Sequence, residues 1–225
     1  MKRASLLLFF LVVAGELMSQ LTGTDWLHQL CKPLIMIFLG LYYYFGVRHE
    51  ARSWLVILAV LFSFLGDCFL MYEEVNEMYF MLGLGGFLAA HLFYLFAYRE
   101  HSDRSDKGGS QVNRVRLAFP VILAGTGLIA ILYPVLGDLQ LPVVVYALVL
   151  MAMVITAIYR LGRTSFASFV PVLFGAFLFM ISDSLLAINK FLDEIPLAGF
   201  WIMVTYIGAQ FMIITGLMKH SRPAK

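Results

Sequence analysis

The stretch FASFVPVLFGAFLFMISDSLLAINK, residues 166–190, holds one acid, Asp183, and one base, Lys190, among twenty-five residues. A helix needs about 20 mainly apolar residues to cross a bilayer core about 30 Å thick. This stretch is long enough, and its acid falls where lipid would surround it unless it faces the inside of a bundle. Working outward, seven more stretches read the same way: 4–21, 32–47, 53–72, 78–98, 117–134, 141–160 and 197–218. Pro134 and Gly137 break the pattern at the end of the fifth. The expected fold is all-α, an eight-helix transmembrane bundle forming a single domain over 1–225.

Composition agrees. The 225 residues are 61% hydrophobic and 13% charged, with mean hydropathy +0.86. Soluble domains run about 45–50% apolar and about 25% charged, so a water-soluble globule and a disordered chain are both excluded. A net charge of +2 gives no basis for binding nucleic acid. Lys2, Arg3 and the apolar run after them resemble a signal peptide, but GELMSQ (15–20) is a poor cleavage region, so the first helix is retained. Cys31 and Cys68 have no metal-type spacing and read as small buried hydrophobes.

Charge sets an orientation. With the N-terminus inside and eight spans alternating, Lys2, Arg3, Arg48, Arg52, Arg99, Arg104, Lys107, Arg114, Arg116, Arg160, Arg163, Lys219, Arg222 and Lys225 all fall inside. Only Lys32 and Lys190 fall outside. The positive-inside rule asks for this bias, so both termini are expected in the cytoplasm. Tyr42, Tyr43, Tyr44, Trp54, Tyr98 and Tyr159 then mark the inner interface. Trp26, Tyr72, Tyr79 and Tyr133 mark the outer one.

The charged loop 99–116 reads as a flexible connector and divides the spans four and four. FSFLGDCFL (62–70) in the third span aligns with FMISDSLLA (179–187) in the seventh, placing Asp67 against Asp183. FLAAH (87–91) aligns with YIGAQ (206–210), placing His91 against Gln210. Four spans per half give a candidate parallel repeat, 1–98 and 117–218.

The polar groups inside the spans carry the functional argument. Asp67 lies fourteen residues past Ser53, about 21 Å from the inner start of its helix. Glu16 and Asp183 also fall in the outer half, as does Tyr146. Tyr206 lies about 14 Å down from the outer end of its helix. His91 and Gln210 lie deeper, as a floor, and Lys32 and Lys190 sit at the outer rim. Two carboxyl groups in one low-dielectric pocket do not both ionise readily. One neutral acid beside one carboxylate is the arrangement general acid–base chemistry requires, and the rim lysines suit an anionic group such as a phosphate. The plainer readings are hydrogen-bonding between helices for the aspartates, Tyr146, Tyr206 and Gln210, and interfacial anchoring for Glu16, Lys32 and Lys190. Ser63 and Ser182 lack a nucleophile-elbow context.

Lys32-Pro33, FSFLGDCFLM (62–71), FLAAHLFY (87–94), VYALVLMAM (145–153), FGAFLFMISDSLLAINKF (174–191) and MVTYIGAQFMI (203–213) together resemble the lysoplasmalogenase, or YhhN-like, family. The resemblance implies an eight-span hydrolase that cleaves the vinyl ether bond of lysoplasmalogens to a fatty aldehyde and a glycerophospho-alcohol. It makes Asp67 and Asp183 catalytic and Lys32, His91, Tyr206 and Gln210 pocket positions. Tyr146 joins them by depth. Lys32 would hold the phosphate, and Tyr206 or Asn189 would orient water or the glycerol hydroxyl. The chemistry demands no metal or cofactor. The partners expected are a lysophospholipid, water and membrane lipid. The location expected is a bacterial inner membrane, with the site open to the outer face. A proton-coupled transporter or a sensor of an amphiphile is the competing reading of the same aspartates.

Overall fold

The computed structural model describes residues 1–103 and 111–220, with the side chains of 111–113 excepted. Eight helices follow one another among these residues, and no strand occurs among them. They are α1 (Lys2–Thr22), α2 (Asp25–Gly46), α3 (Trp54–Leu70), α4 (Glu77–Glu100), α5 (Gln111–Leu132), α6 (Gln140–Ile158), α7 (Phe166–Phe191) and α8 (Ala198–Met218). Six are long and apolar enough to cross a membrane: α1, α4, α5, α6, α7 and α8. α3 is apolar but only 17 residues long, and α2 opens on the polar run DWLHQLCK. Side chains such as Leu7, Leu11, Phe119, Leu123 and Phe166 stand well exposed on these helices. Water would make so much exposed apolar surface costly, whereas lipid does not.

Two helix starts differ from the sequence expectation. α2 begins at Asp25 rather than Lys32. Gly23 adopts a left-handed φ of 66° and closes α1 through its N–H to the Ser19 carbonyl, and Thr24 in extended backbone opens the next helix at once. Pro33 therefore sits inside α2, where its missing N–H costs one backbone bond without ending the helix. α5 begins six residues earlier than 117. Its far end behaves as expected: short 3-10 turns occupy Tyr133–Val135 and Gly137–Leu139. Of the connector expected over 99–116, residues 104–110 lie outside the described residues, as do Arg222 and Lys225 of the positive-inside count.

The chain divides into two compact units, one over Met1–Ala97 and one over Tyr98–His220. In the first, α1 packs along α2 and α2 along α3, around Ile35, Met36, Leu39, Val56 and Ala59. α3 and α4 approach closely at glycines: a Cβ on Gly86 would lie 3.0 Å from the Gly66 Cα. In the second unit, α7 packs along α8, and α6 packs on both α5 and α7. A Cβ on Gly175 would lie 2.8 Å from the Ala209 carbonyl oxygen, and one on Gly216 would lie 3.0 Å from that of Ser168. Small residues let backbones meet in this way where lipid offers no hydrophobic drive for helices to associate.

Several residues assigned to the membrane surface are in fact internal. Tyr43 is 1% exposed, and its hydroxyl accepts the Ser53 N–H at 2.9 Å. Tyr98 is buried as well. Arg160, counted among the inner loop charges, is 1% exposed. Its Nε and Nη2 donate to the His101 carbonyl at 3.3 and 3.1 Å, and Nη2 also donates to Ser168 Oγ at 2.8 Å. Ser168 passes the link on to the Gly216 carbonyl at 2.7 Å. No acid pairs with Arg160 among the described residues. The carbonyls come from the ends of α4 and α8, the negative poles of their helix dipoles. Burial pushes the guanidinium down to about 10, so it stays charged at neutral pH.

Candidate active site

In the first unit, Asp67 lies one turn before the end of α3 and is 2% exposed. It shares its buried face with Ser63 and Gly66. Gly66 leaves the room that the Phe87 ring of α4 fills: a Cβ there would lie 2.7 Å from that ring. The close approach of α3 and α4 thus fixes the stretch that carries the acid. Lys32 sits two turns into α2 rather than at its start, half-buried. Lys32 and Asp67 both lie within electrostatic reach of the Cys68 thiol, so α2 and α3 bring a base and an acid to one neighbourhood. His91 of α4 is fully buried. Cys31 and Cys68 are both free thiols.

In the second unit, Asp183 of α7 accepts a hydrogen bond from the Tyr146 hydroxyl of α6, Oη to Oδ2, at 2.6 Å. Tyr146 is buried and Asp183 half-buried. The two residues are 37 apart in sequence, and the packing of α6 on α7 brings them together. A bond this short to a carboxyl oxygen belongs to the stronger class of hydrogen bonds and fixes the orientation of the acid. One residue before Asp183, Ser182 donates to the Ile202 carbonyl of α8 at 3.1 Å. Tyr206 is 4% exposed and stands edge-on to Phe179, with ring centroids 5.6 Å apart. Gln210, one turn further along α8, is fully buried. Asn189 is used partly for structure: its Oδ1 accepts the Ile195 N–H at 2.9 Å in the turn before α8. Lys190 is exposed.

The structure thus joins Tyr146 to Asp183 and brings Lys32 to the neighbourhood of Asp67. The sequence reading missed a third group. Glu16 of α1 is wholly buried, not anchored at the interface, and it pairs with His28 of α2 at 2.8 Å. His28 went unread because the second helix was started four residues after it. The available signal was its spacing of four from Lys32.

Buried acids on apolar helices, one of them bonded to a tyrosine, define a helical membrane protein with an ionisable interior. Residues 27–217 match the sequence model of the YhhN family, and the chain belongs to that family. It is 30% identical over 165 residues to the human lysoplasmalogenase TMEM86B, covering 73% of this chain and 64% of that protein. It is 30% identical over 203 residues to the lysoplasmalogenase of Mycobacterium bovis, covering 88% and 73%. It is 29% identical over 214 residues to the human lysoplasmalogenase TMEM86A, covering 91% and 83%. The match to human TMEM86B thus spans less than two thirds of that relative. No solved structure matches the chain.

Proposed function

We propose that the protein is a membrane lysoplasmalogenase, hydrolysing the vinyl ether bond of a lysoplasmalogen to a fatty aldehyde and a glycerophospho-alcohol. The observation that carries the reading is the Tyr146–Asp183 hydrogen bond. It supplies an oriented carboxyl group within apolar helices, in a family whose relatives bear that name.

A vinyl ether is stable to base and labile to acid. A general acid delivers a proton to the alkenyl carbon distal to the ether oxygen, generating an oxocarbenium ion. A carboxylate stabilises that cation and takes a proton from the water that attacks it. The resulting hemiacetal collapses, releasing the glycerol oxygen as an alcohol and leaving the aldehyde. The logic is that of two-carboxylate glycoside hydrolysis. Asp67 and Asp183 are the two carboxyl groups in this reading. Lys32 holds the phosphate, Tyr206 and the Asn189 amide nitrogen orient water or the glycerol hydroxyl, and His91 and Gln210 line the floor. The membrane reading extends to eight spans with both termini cytoplasmic, following the positive-inside bias, and to a repeat of sequence pattern between 1–98 and 117–218. A bacterial inner membrane, with the site open to its outer face, suits that topology.

The test is aldehyde release from lysoplasmalogen by purified protein in detergent, with a metal chelator present. Wild type is expected to turn over, and folded Asp67→Asn and Asp183→Asn variants to lose activity. Full activity in both variants rules out the mechanism. Lysolipid binding without turnover by wild type favours transport or sensing.

A further inference from the structure

The pair formed by Glu16 and His28 belongs to no part of that mechanism. Glu16 is 0% exposed, deep in the second half of α1. Its Oε1 receives the His28 Nδ1–H at 2.8 Å and the Gln20 Nε2 at 2.9 Å. Gln20 Nε2 also lies 3.0 Å from His28 Nδ1, so two donors converge on one carboxyl oxygen. Oε2 is buried and has no partner among the described residues. Burying a carboxyl group is costly unless its oxygens are satisfied, and half of this one is not. Packing alone gives no reason to place it there. The approach of α1 to α2 is set next door at Gly15, where a Cβ would lie 2.8 Å from Cys31 Sγ.

What the carboxyl group does achieve is orientation. An acceptor on one ring nitrogen of a histidine fixes the tautomer and the direction of the other nitrogen. With Nδ1 held inward, Nε2 has no protein partner among the described residues, and the His28 side chain is 26% exposed. Lys32 stands four residues further along α2, on the same face, and enters no hydrogen bond or ion pair among the described residues. Asp25, three residues before His28, is solvent-exposed, so its charge is screened. From the start of α2 inward, one helix face therefore carries an oriented imidazole and then an ammonium, ending where Lys32 approaches the neighbourhood of Asp67.

We infer that His28, held by Glu16, binds the phosphate of a lysophospholipid headgroup together with Lys32. Glu16 is a positioning residue, acting only through His28. The inference rests on the lysophospholipid reading above and deepens it by assigning the residues that read the headgroup.

The test uses the full chain in detergent and two probes that lack a vinyl ether. One is a saturated 1-O-alkyl lysophospholipid, and the other is the 1-O-alkylglycerol of the same chain, without phosphate. Wild type is expected to prefer the phosphate-bearing probe by about tenfold or more, as a charge-assisted contact allows. His28→Ala loses about tenfold of that preference and binds the alkylglycerol within twofold of wild type. Glu16→Ala gives the same loss, and the double variant loses no more than either single one, because the two residues act as a unit. Glu16→Gln keeps the preference, since its amide oxygen still accepts from Nδ1. An unchanged preference in His28→Ala overturns the inference. Equal weakening of both probes also overturns it, because the pair then only staples α1 to α2. So does a wild type that binds both probes alike. The hydrolase reading fails separately, through absent aldehyde release from wild type.

Discussion

Replacing Tyr146 by Phe removes one hydroxyl and keeps the ring. The ring stays packed among the neighbours that leave it 8% exposed, and the hydrogen bond from its Oη to Asp183 at 2.6 Å is lost. A hydrogen bond to a charged group contributes about 1.5–3 kcal/mol. If that stabilisation acts in the transition state, its loss lowers kcat/KM by roughly 10- to 150-fold, at about 1.4 kcal/mol per tenfold. The assay is initial-rate aldehyde release from lysoplasmalogen across a substrate range, with thermal unfolding of the same samples in parallel. Tyr146 touches the acid rather than the headgroup, so kcat is expected to fall while KM stays within about twofold. A Tyr146→Phe protein that folds like wild type and keeps kcat within threefold refutes the argument. The bond would then be a tie between α6 and α7, not part of the chemistry.

Two predictions concern the frame. Gly175→Ala places a methyl group 2.8 Å from the Ala209 carbonyl oxygen and is expected to cost about 1–3 kcal/mol, read as a lower unfolding temperature in detergent. Gly85→Ala, whose added carbon meets nothing within 4 Å, is the matched control and leaves stability unchanged or higher by up to about 1 kcal/mol. Arg160→Lys is expected to lose about 3 kcal/mol, because one ammonium does not reproduce the fork that meets both His101 and Ser168. Differential scanning fluorimetry measures that loss, and the kcat of the surviving folded protein should stay near wild type.

Most of the architecture was legible because the bilayer simplifies the code. Apolar length alone located eight helices, and all eight ends, at Thr22, Gly46, Leu70, Glu100, Leu132, Ile158, Phe191 and Met218, fall within two residues of the expected positions. Helix starts failed where polar residues are helical anyway. Asp25 to Cys31 read as loop because hydropathy does not register that Gly23 reverses the chain within two residues. That error moved Lys32 from a helix start to a helix interior and hid His28 altogether. The aromatic rule failed at Tyr43 and Tyr98 for a related reason: composition places a tyrosine near an interface but does not say whether it faces lipid or the neighbouring helix. Asp67 and Asp183 stood out in the sequence because a charge in an apolar run has few innocent explanations. The partnership of Tyr146 with Asp183 did not, since depth put them in one layer but only packing puts them in contact.

The way Arg160 is held matters for a protein whose interior acids are expected to exchange protons. A salt bridge at that position would weaken as its acid took up a proton, making the joint sensitive to pH. Backbone carbonyls and a serine hydroxyl have no proton to gain in that range, and the guanidinium keeps its own up to about 10. The contacts that Arg160 itself makes at this joint between helix ends therefore do not depend on the protonation of a partner acid.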